Sequence, residues 1–119
     1  MSIVRALFGL LMAVALIVWP TALGGAAPPG GITVLTVDGP INPVVAGYVE
    51  RGIRDAERRS DQAVILRLDT PGGLDGAMRE IIQAMLASRV PVIVYVAPAG
   101  ARAASAGMFI TVAAHVAAM

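Results

Sequence analysis

The sequence predicts an α/β fold built on a parallel sheet. Three observations carry that expectation: short β-branched or all-apolar runs bounded by turn residues, a helical stretch after each run, and connections of only a few residues between them. The order β-α-β-α-β-α with right-handed crossovers follows.

Residues 1–27 come before the first run. Arg5 supplies one early charge, Ala6 to Trp19 form an apolar run that ends at Pro20, and Ala22, Gly24, Gly25, Ala26 and Ala27 are small. This is the charged, apolar and small-residue order of an export signal. A run of about 14 residues is short of the roughly 20 that a spanning helix needs. Cleavage is expected between Gly24 and Ala27, with an uncleaved membrane anchor as one alternative and a buried soluble helix as the plain one. An export signal or anchor puts the folded part outside the cytoplasm, at the membrane. Residues 28–31, Pro-Pro-Gly-Gly, cannot continue a helix and read as a linker into the domain at 32–119.

Ile32 to Val37 is β-branched and closes on Asp38-Gly39-Pro40, which marks a first strand. Asn42 and Pro43 stand in N-cap and first-turn positions for a helix running to about Arg59. Val45, Val49, Ile53 and Ala56 step by three and four along one side of it, and Glu50–Arg54 and Arg51–Asp55 are spaced to pair on another. Ala63 to Leu68 is a second strand, nearly all apolar, as expected when helices cover both faces of a parallel sheet. Met78, Ile81, Ile82, Met85 and Leu86 recur at helical spacing, Met78 and Met85 reading as core filler. Val92 to Val96 is a third strand. A third helix is expected at about Ala104 to Ala113, apolar on all sides and therefore buried. His115 falls in a turn, and Val116 opens one more strand, expected to be cut short.

Composition removes several kinds of chemistry. The 119 residues fit one small domain, and the roughly 90 left after the leader would bury about 60–65% of their unfolded surface. A net charge of +1 gives no electrostatic footprint for nucleic acid. Without cysteine there is no disulfide, thiolate metal site or cysteine nucleophile. Without lysine no Ser–Lys pair can form inside the chain, which leaves His115 as the one conventional base near neutral pH.

Two loops at the C-terminal ends of strands stand where open α/β folds place ligands. In Asp69-Thr70-Pro71-Gly72-Gly73, the paired glycines let main-chain N–H groups approach an anion or a developing oxyanion. A tight strand-to-helix turn is the plain alternative. In Gly100-Ala101-Arg102-Ala103-Ala104-Ser105-Ala106-Gly107, a lone hydroxyl sits among small residues at a helix start, where free N–H groups and the helix dipole favour negative charge. An ordinary N-cap serine is the alternative there. Together the loops point to a nucleophile at one strand–helix junction and oxyanion donors at its neighbour. His115 lies ten residues past Ser105, about 15 Å along a helix, against a hydrogen-bond reach of about 3 Å, and reads as a turn residue. Arg102 reads as a solvated loop arginine.

The segment from about Ile32 to Met119 resembles the protease domain of NfeD-type membrane proteins, in the ClpP/crotonase superfamily. The residues that carry the resemblance are Leu68-Asp69-Thr70-Pro71-Gly72-Gly73, Pro91 to Val96, and Gly100 to Gly107. The resemblance implies a ClpP/crotonase-like fold with Ser105 as the nucleophile and the Gly73 and Ala106 N–H groups as the oxyanion hole. It implies that Gly72, Asp69, Thr70 and Gly107 shape the turns, and that no metal or cofactor takes part. It also implies a lysine base several tens of residues past the serine, then membrane spans, none of which this chain contains. A truncated domain, inactive by itself, is therefore expected. By the same resemblance the substrates are hydrophobic segments of membrane-associated proteins, such as a stomatin-like partner, and the protein is a homo-oligomer. Two other readings stand beside it: a secreted or membrane-tethered module that binds a partner or peptide without cutting it, and a crotonase-like acyl-binding site.

Overall fold

The structure, a computed structural model, describes residues 30–119 and, before them, Ile3 alone. The expected export signal or anchor lies outside the described residues, and no helix among those described is long and apolar enough to cross a membrane.

The elements alternate as β1 (Ile32–Asp38), α1 (Pro43–Arg59), β2 (Ala63–Asp69), α2 (Asp75–Ala87), β3 (Val92–Val96), α3 (Ala106–Val112) and β4 (Val116–Ala118). All four strands are parallel, in the sheet order β1-β2-β3-β4. The register aligns Leu35, Leu66 and Val94 in one row and Val37, Leu68 and Val96 in the next but one. These rows and Val64 and Val92 meet Val49, Ile53, Ile81, Met85 and Ile110 of the three helices in a single core.

Local chemistry explains where α1 starts and stops. The Asn42 side chain accepts from the Val45 N–H at 3.0 Å, and Pro43 occupies the first turn, where its missing N–H costs nothing. At the other end Ser60 adopts the left-handed conformation, and the N–H groups of Ser60 and Asp61 return to the carbonyls of Glu57 and Ala56. Asp61, almost wholly buried, accepts from the Thr33 hydroxyl of β1 and from the Arg59 guanidinium. The Thr33 hydroxyl, working against burial and helped by Arg59, holds its carboxyl below the usual range. The linker is tied in at the same place: Gln62 N–H donates to Gly31 C=O at 2.8 Å, and a side chain at Gly30 would strike the Ser60 carbonyl.

Three expectations are corrected. Helices cover only one face of the sheet among the described residues. On the other face Val34, Ile65, Ile93 and Val116 run in register across all four strands, with Val34 and Val116 more than half exposed. The third helix is shorter than Ala104–Ala113 and is covered on one side only: Ala106, Gly107 and Ile110 are buried, whereas Met108, Phe109 and Val112 are exposed. Apolar side chains all round a helix call for cover, but only neighbouring elements can provide it. Finally, Glu50–Arg54 pairs as spaced, but Asp55 pairs with Arg58 one turn on rather than with Arg51. Met85 is fully buried, while Met78 lies half-buried at the core's edge.

Candidate active site

The loop 69–74 is held between two other segments by bridges of parallel type, Ile41 with Gly73 and Thr70 with Ala103. In the first, Ile41 donates to Gly72 C=O at 2.8 Å and accepts from Leu74 N–H at 2.9 Å. In the second, Thr70 N–H donates to Arg102 C=O at 2.7 Å and Thr70 C=O accepts from Ala104 N–H at 3.1 Å. Asp69 adds a side-chain tie, its Oδ1 accepting the Arg102 N–H at 2.9 Å. The strand that ends in Asp69 is thereby fastened to the segment that leads to Ser105.

Thr70 organises the turn from the inside. It is fully buried, its Oγ1 accepts from Gly72 N–H at 3.1 Å, and its hydroxyl lies 3.2 Å from Gly72 C=O. Its methyl occupies the space where a Gly107 side chain would stand, 2.5 Å from an ideal Cβ, so glycine at 107 lets α3 seat directly on this turn. Gly72 has φ of +115°, a region that L side chains rarely adopt. A Cβ there would lie 2.9 Å from Ser105 Cβ and 3.4 Å from Ser105 Oγ, so the diglycine turn and the serine are in direct contact. Gly73 is backed by the main chain of Ile41, which leaves no room for a side chain.

Ser105 is no ordinary N-cap. Its side chain makes no capping hydrogen bond, and its backbone sits at φ +51° and ψ −113°, a conformation that costs a residue with a Cβ on the order of 1–3 kcal/mol. Backbone strain of this kind is concentrated at functional sites. Ser105 is exposed. Among the described residues neither the Gly73 N–H nor the Ala106 N–H donates to an acceptor. The Ile41 bridge engages the groups of Gly72 and Leu74 and turns those of Gly73 away from Ile41.

The fold thus brings together Asp69, Thr70, Gly72, Gly73, Ser105, Ala106 and Gly107, and it keeps His115 apart. His115 Nδ1 accepts from Val92 N–H at 3.1 Å and its own N–H donates to Val92 C=O at 3.1 Å, so the residue pins the start of β4 to β3. The Arg102 side chain is exposed, as a solvated loop arginine would be, and the residue serves the site through its backbone. Sequence reasoning missed Ile41, whose main chain backs Gly73. Its position, two residues past the Gly39 turn that follows β1, was the available signal. No group of three or more His, Cys, Asp or Glu among the described residues has a metal-binding arrangement.

Comparison with known proteins gives a consistent result. The family model for the NfeD1b N-terminal domain matches residues 31–119. Membrane-bound protease PH1510 of Pyrococcus horikoshii is 42% identical over 88 residues, which are 74% of this chain and 20% of that protein. Two solved forms of the 1510-N membrane-bound stomatin-specific protease superpose with a TM-score of 0.75 each, at 39% and 40% identity. They are a Ser-to-Ala mutant and a Lys-to-Ala mutant in complex with a substrate peptide. This chain is covered to 78% in both, and they to 45% and 42%. ClpP1 of Listeria monocytogenes, as an Asn-to-Asp mutant, superposes with a TM-score of 0.63 at 25% identity, over 68% of this chain and 46% of that one. The chain therefore spans about a fifth of its curated relative and under half of these solved structures.

Proposed function

The chain belongs to the NfeD-type membrane protease family, as its N-terminal domain, and from that membership we propose that it carries the nucleophile of a membrane-associated serine endopeptidase. Ser105 Oγ attacks a peptide carbonyl, the N–H groups of Gly73 and Ala106 receive the oxyanion, and the resulting acyl-enzyme is hydrolysed by water. The observation that carries this reading is the contact of the diglycine turn with the serine, a Gly72 Cβ position 3.4 Å from Ser105 Oγ, beside two N–H groups with no acceptor of their own. An oxyanion hole requires donors that are already aimed and unused before the reaction begins, because reorienting them would consume their advantage.

The usual bases for the proton of Ser105 are missing from this sequence or engaged elsewhere. The chain has no lysine, and His115 Nδ1 already accepts from Val92. The base is a lysine supplied from outside the chain as given, in keeping with the Lys-to-Ala form of the related protease that was solved with its substrate peptide. Substrates are apolar peptide segments of a membrane protein, a stomatin-like one by analogy with that relative. The leader at 1–27, as an export signal or anchor, places the domain outside the cytoplasm at the membrane.

A fluorophosphonate probe tests the assignment on the protein with its lysine-bearing remainder. Labelling is expected for the parent and absent for Ser105→Ala. Equal labelling of the two would remove Ser105 from the mechanism. A parent that binds an apolar peptide but never labels would favour the second reading, a binding module, to which the absence of lysine from this chain lends its one specific support.

A further inference from the structure

Among the described residues β1 is an edge strand, and its outer edge is open. The Gly39 N–H that continues it donates to Asp69 C=O on β2, whereas the Thr36 N–H points the other way, to Tyr48 Oη at 3.2 Å. Main-chain groups alternate sides along a strand, so Ile32 and Val34 turn theirs outward with Thr36. Only the Thr36 N–H of this edge finds a partner among the described residues. Native edge strands are blunted by brevity, proline, lysine or a bulge. The β4 edge is three residues long, but β1 runs for seven in unbroken register, has neither proline nor lysine, and leaves Ile32 and Val34 57% and 59% exposed.

A groove of about 310 Å³ follows the helix side of this edge, lined by Thr33, Leu35, Tyr48, Arg51, Asp55 and Arg59. Leu35 is its floor, and α1 sits directly on it because Gly52 has no side chain: a Cβ there would lie 2.5 Å from Leu35 Cδ2. Tyr48, Arg51, Asp55 and Arg59 recur every three or four residues along α1 and form the far wall. Asp55 is paired with Arg58, and Arg59 is bonded to Asp61 and Thr33. Arg51 is different. Its guanidinium lies back over Gly47 and forms no ion pair among the described residues.

We propose that the outer edge of β1 receives an extended acidic peptide segment of a partner protein as an added strand, with one of its carboxylates on Arg51. A strand laid there completes the hydrogen bonds of Ile32 and Val34 and turns every second side chain toward the groove, where the unneutralised guanidinium selects an acid. Hydrogen bonding and charge together identify this occupant. A lipid offers no main-chain groups to complete the edge. A second copy of β1 would offer them, but Ile32 to Val37 contain no acid for Arg51. The edge lies on the side of β1 away from β2 and its diglycine turn, and the inference does not depend on the protease reading.

Fluorescence anisotropy on the full-length protein tests this with short labelled peptides in which valine alternates with glutamate, glutamine or lysine. The glutamate peptide is expected to bind about tenfold or more tightly than the glutamine peptide, and the lysine peptide more weakly still. Arg51→Glu, at an exposed position, is expected to reverse that order. Hydrogen exchange locates the bound peptide: the outward amides of Ile32 and Val34 are expected to slow when the glutamate peptide is added, which binding beside Ser105 would not cause. Failure of the glutamate peptide to bind overturns the proposal, whether the edge is covered by another part of the protein or simply lacks affinity. So does a preference for glutamate that survives Arg51→Glu, or a bound peptide that leaves both amides exchanging as before.

Discussion

At the scale of single residues, the site rests on side chains that are absent as much as on those present. Gly72, Gly73 and Gly107 each stand where a Cβ would meet Ser105, Ile41 or Thr70 at 2.9 Å or less, so the proposed nucleophile, its proposed donors and the helix behind them can approach this closely only without those carbons. Asp61 shows the opposite case, a charged side chain whose partners decide its protonation. Its carboxyl is held below the usual value first by the Thr33 hydroxyl. A folded-state pKa below the unfolded one contributes stability that is complete above the unfolded value of about 3.9 and disappears as pH falls through the folded one. Thermal melts from neutral pH into acid are therefore expected to show Asp61→Asn less stable than the parent at neutral pH, the gap closing below about pH 4. A gap of constant size across that range would show that the ionised carboxylate is not what Thr33 and Arg59 hold in place.

At the scale of elements, α3 links the proposed chemistry to the core. Seven residues are too few to be stable alone, so its position comes from Ile110 in the core and from Gly107 lying on the Thr70 methyl. Gly107→Ala adds a methyl 2.5 Å from that group, and Thr70 cannot retreat because its hydroxyl is engaged with Gly72. The substitution is expected to destabilise the domain by about 1–3 kcal/mol in denaturant unfolding and to reduce fluorophosphonate labelling, since α3 must lift and take Ser105 with it. Labelling that survives a measured loss of stability would show that the Ser105 turn is held without help from α3.

At the scale of the whole molecule, the sheet sets a gradient of stability. Among the described residues β2 and β3 have a strand on each side, β1 has one, and β4 is a three-residue edge whose residues are all exposed. Hydrogen exchange is expected to be slowest at β2 and β3 amides and fastest at β4, and comparable protection in β4 would mean that its outer edge is paired. Much of this architecture could be read in the chain: the caps of α1, the β-branched runs and the turn residues depend on atoms a few positions apart, so local sequence specifies them. Both site loops were legible for the same reason, since Gly-Gly after a strand and a serine among small residues at a helix start are local patterns. Relations between distant segments were decided only by tertiary structure. Which side of α3 is covered, which face of the sheet stays open, that Ile41 backs Gly73, and that Ser105 is forced to a positive φ all depend on what another element places alongside. Burial and strain are properties of contacts, and a single sequence states one partner of each contact without naming the other.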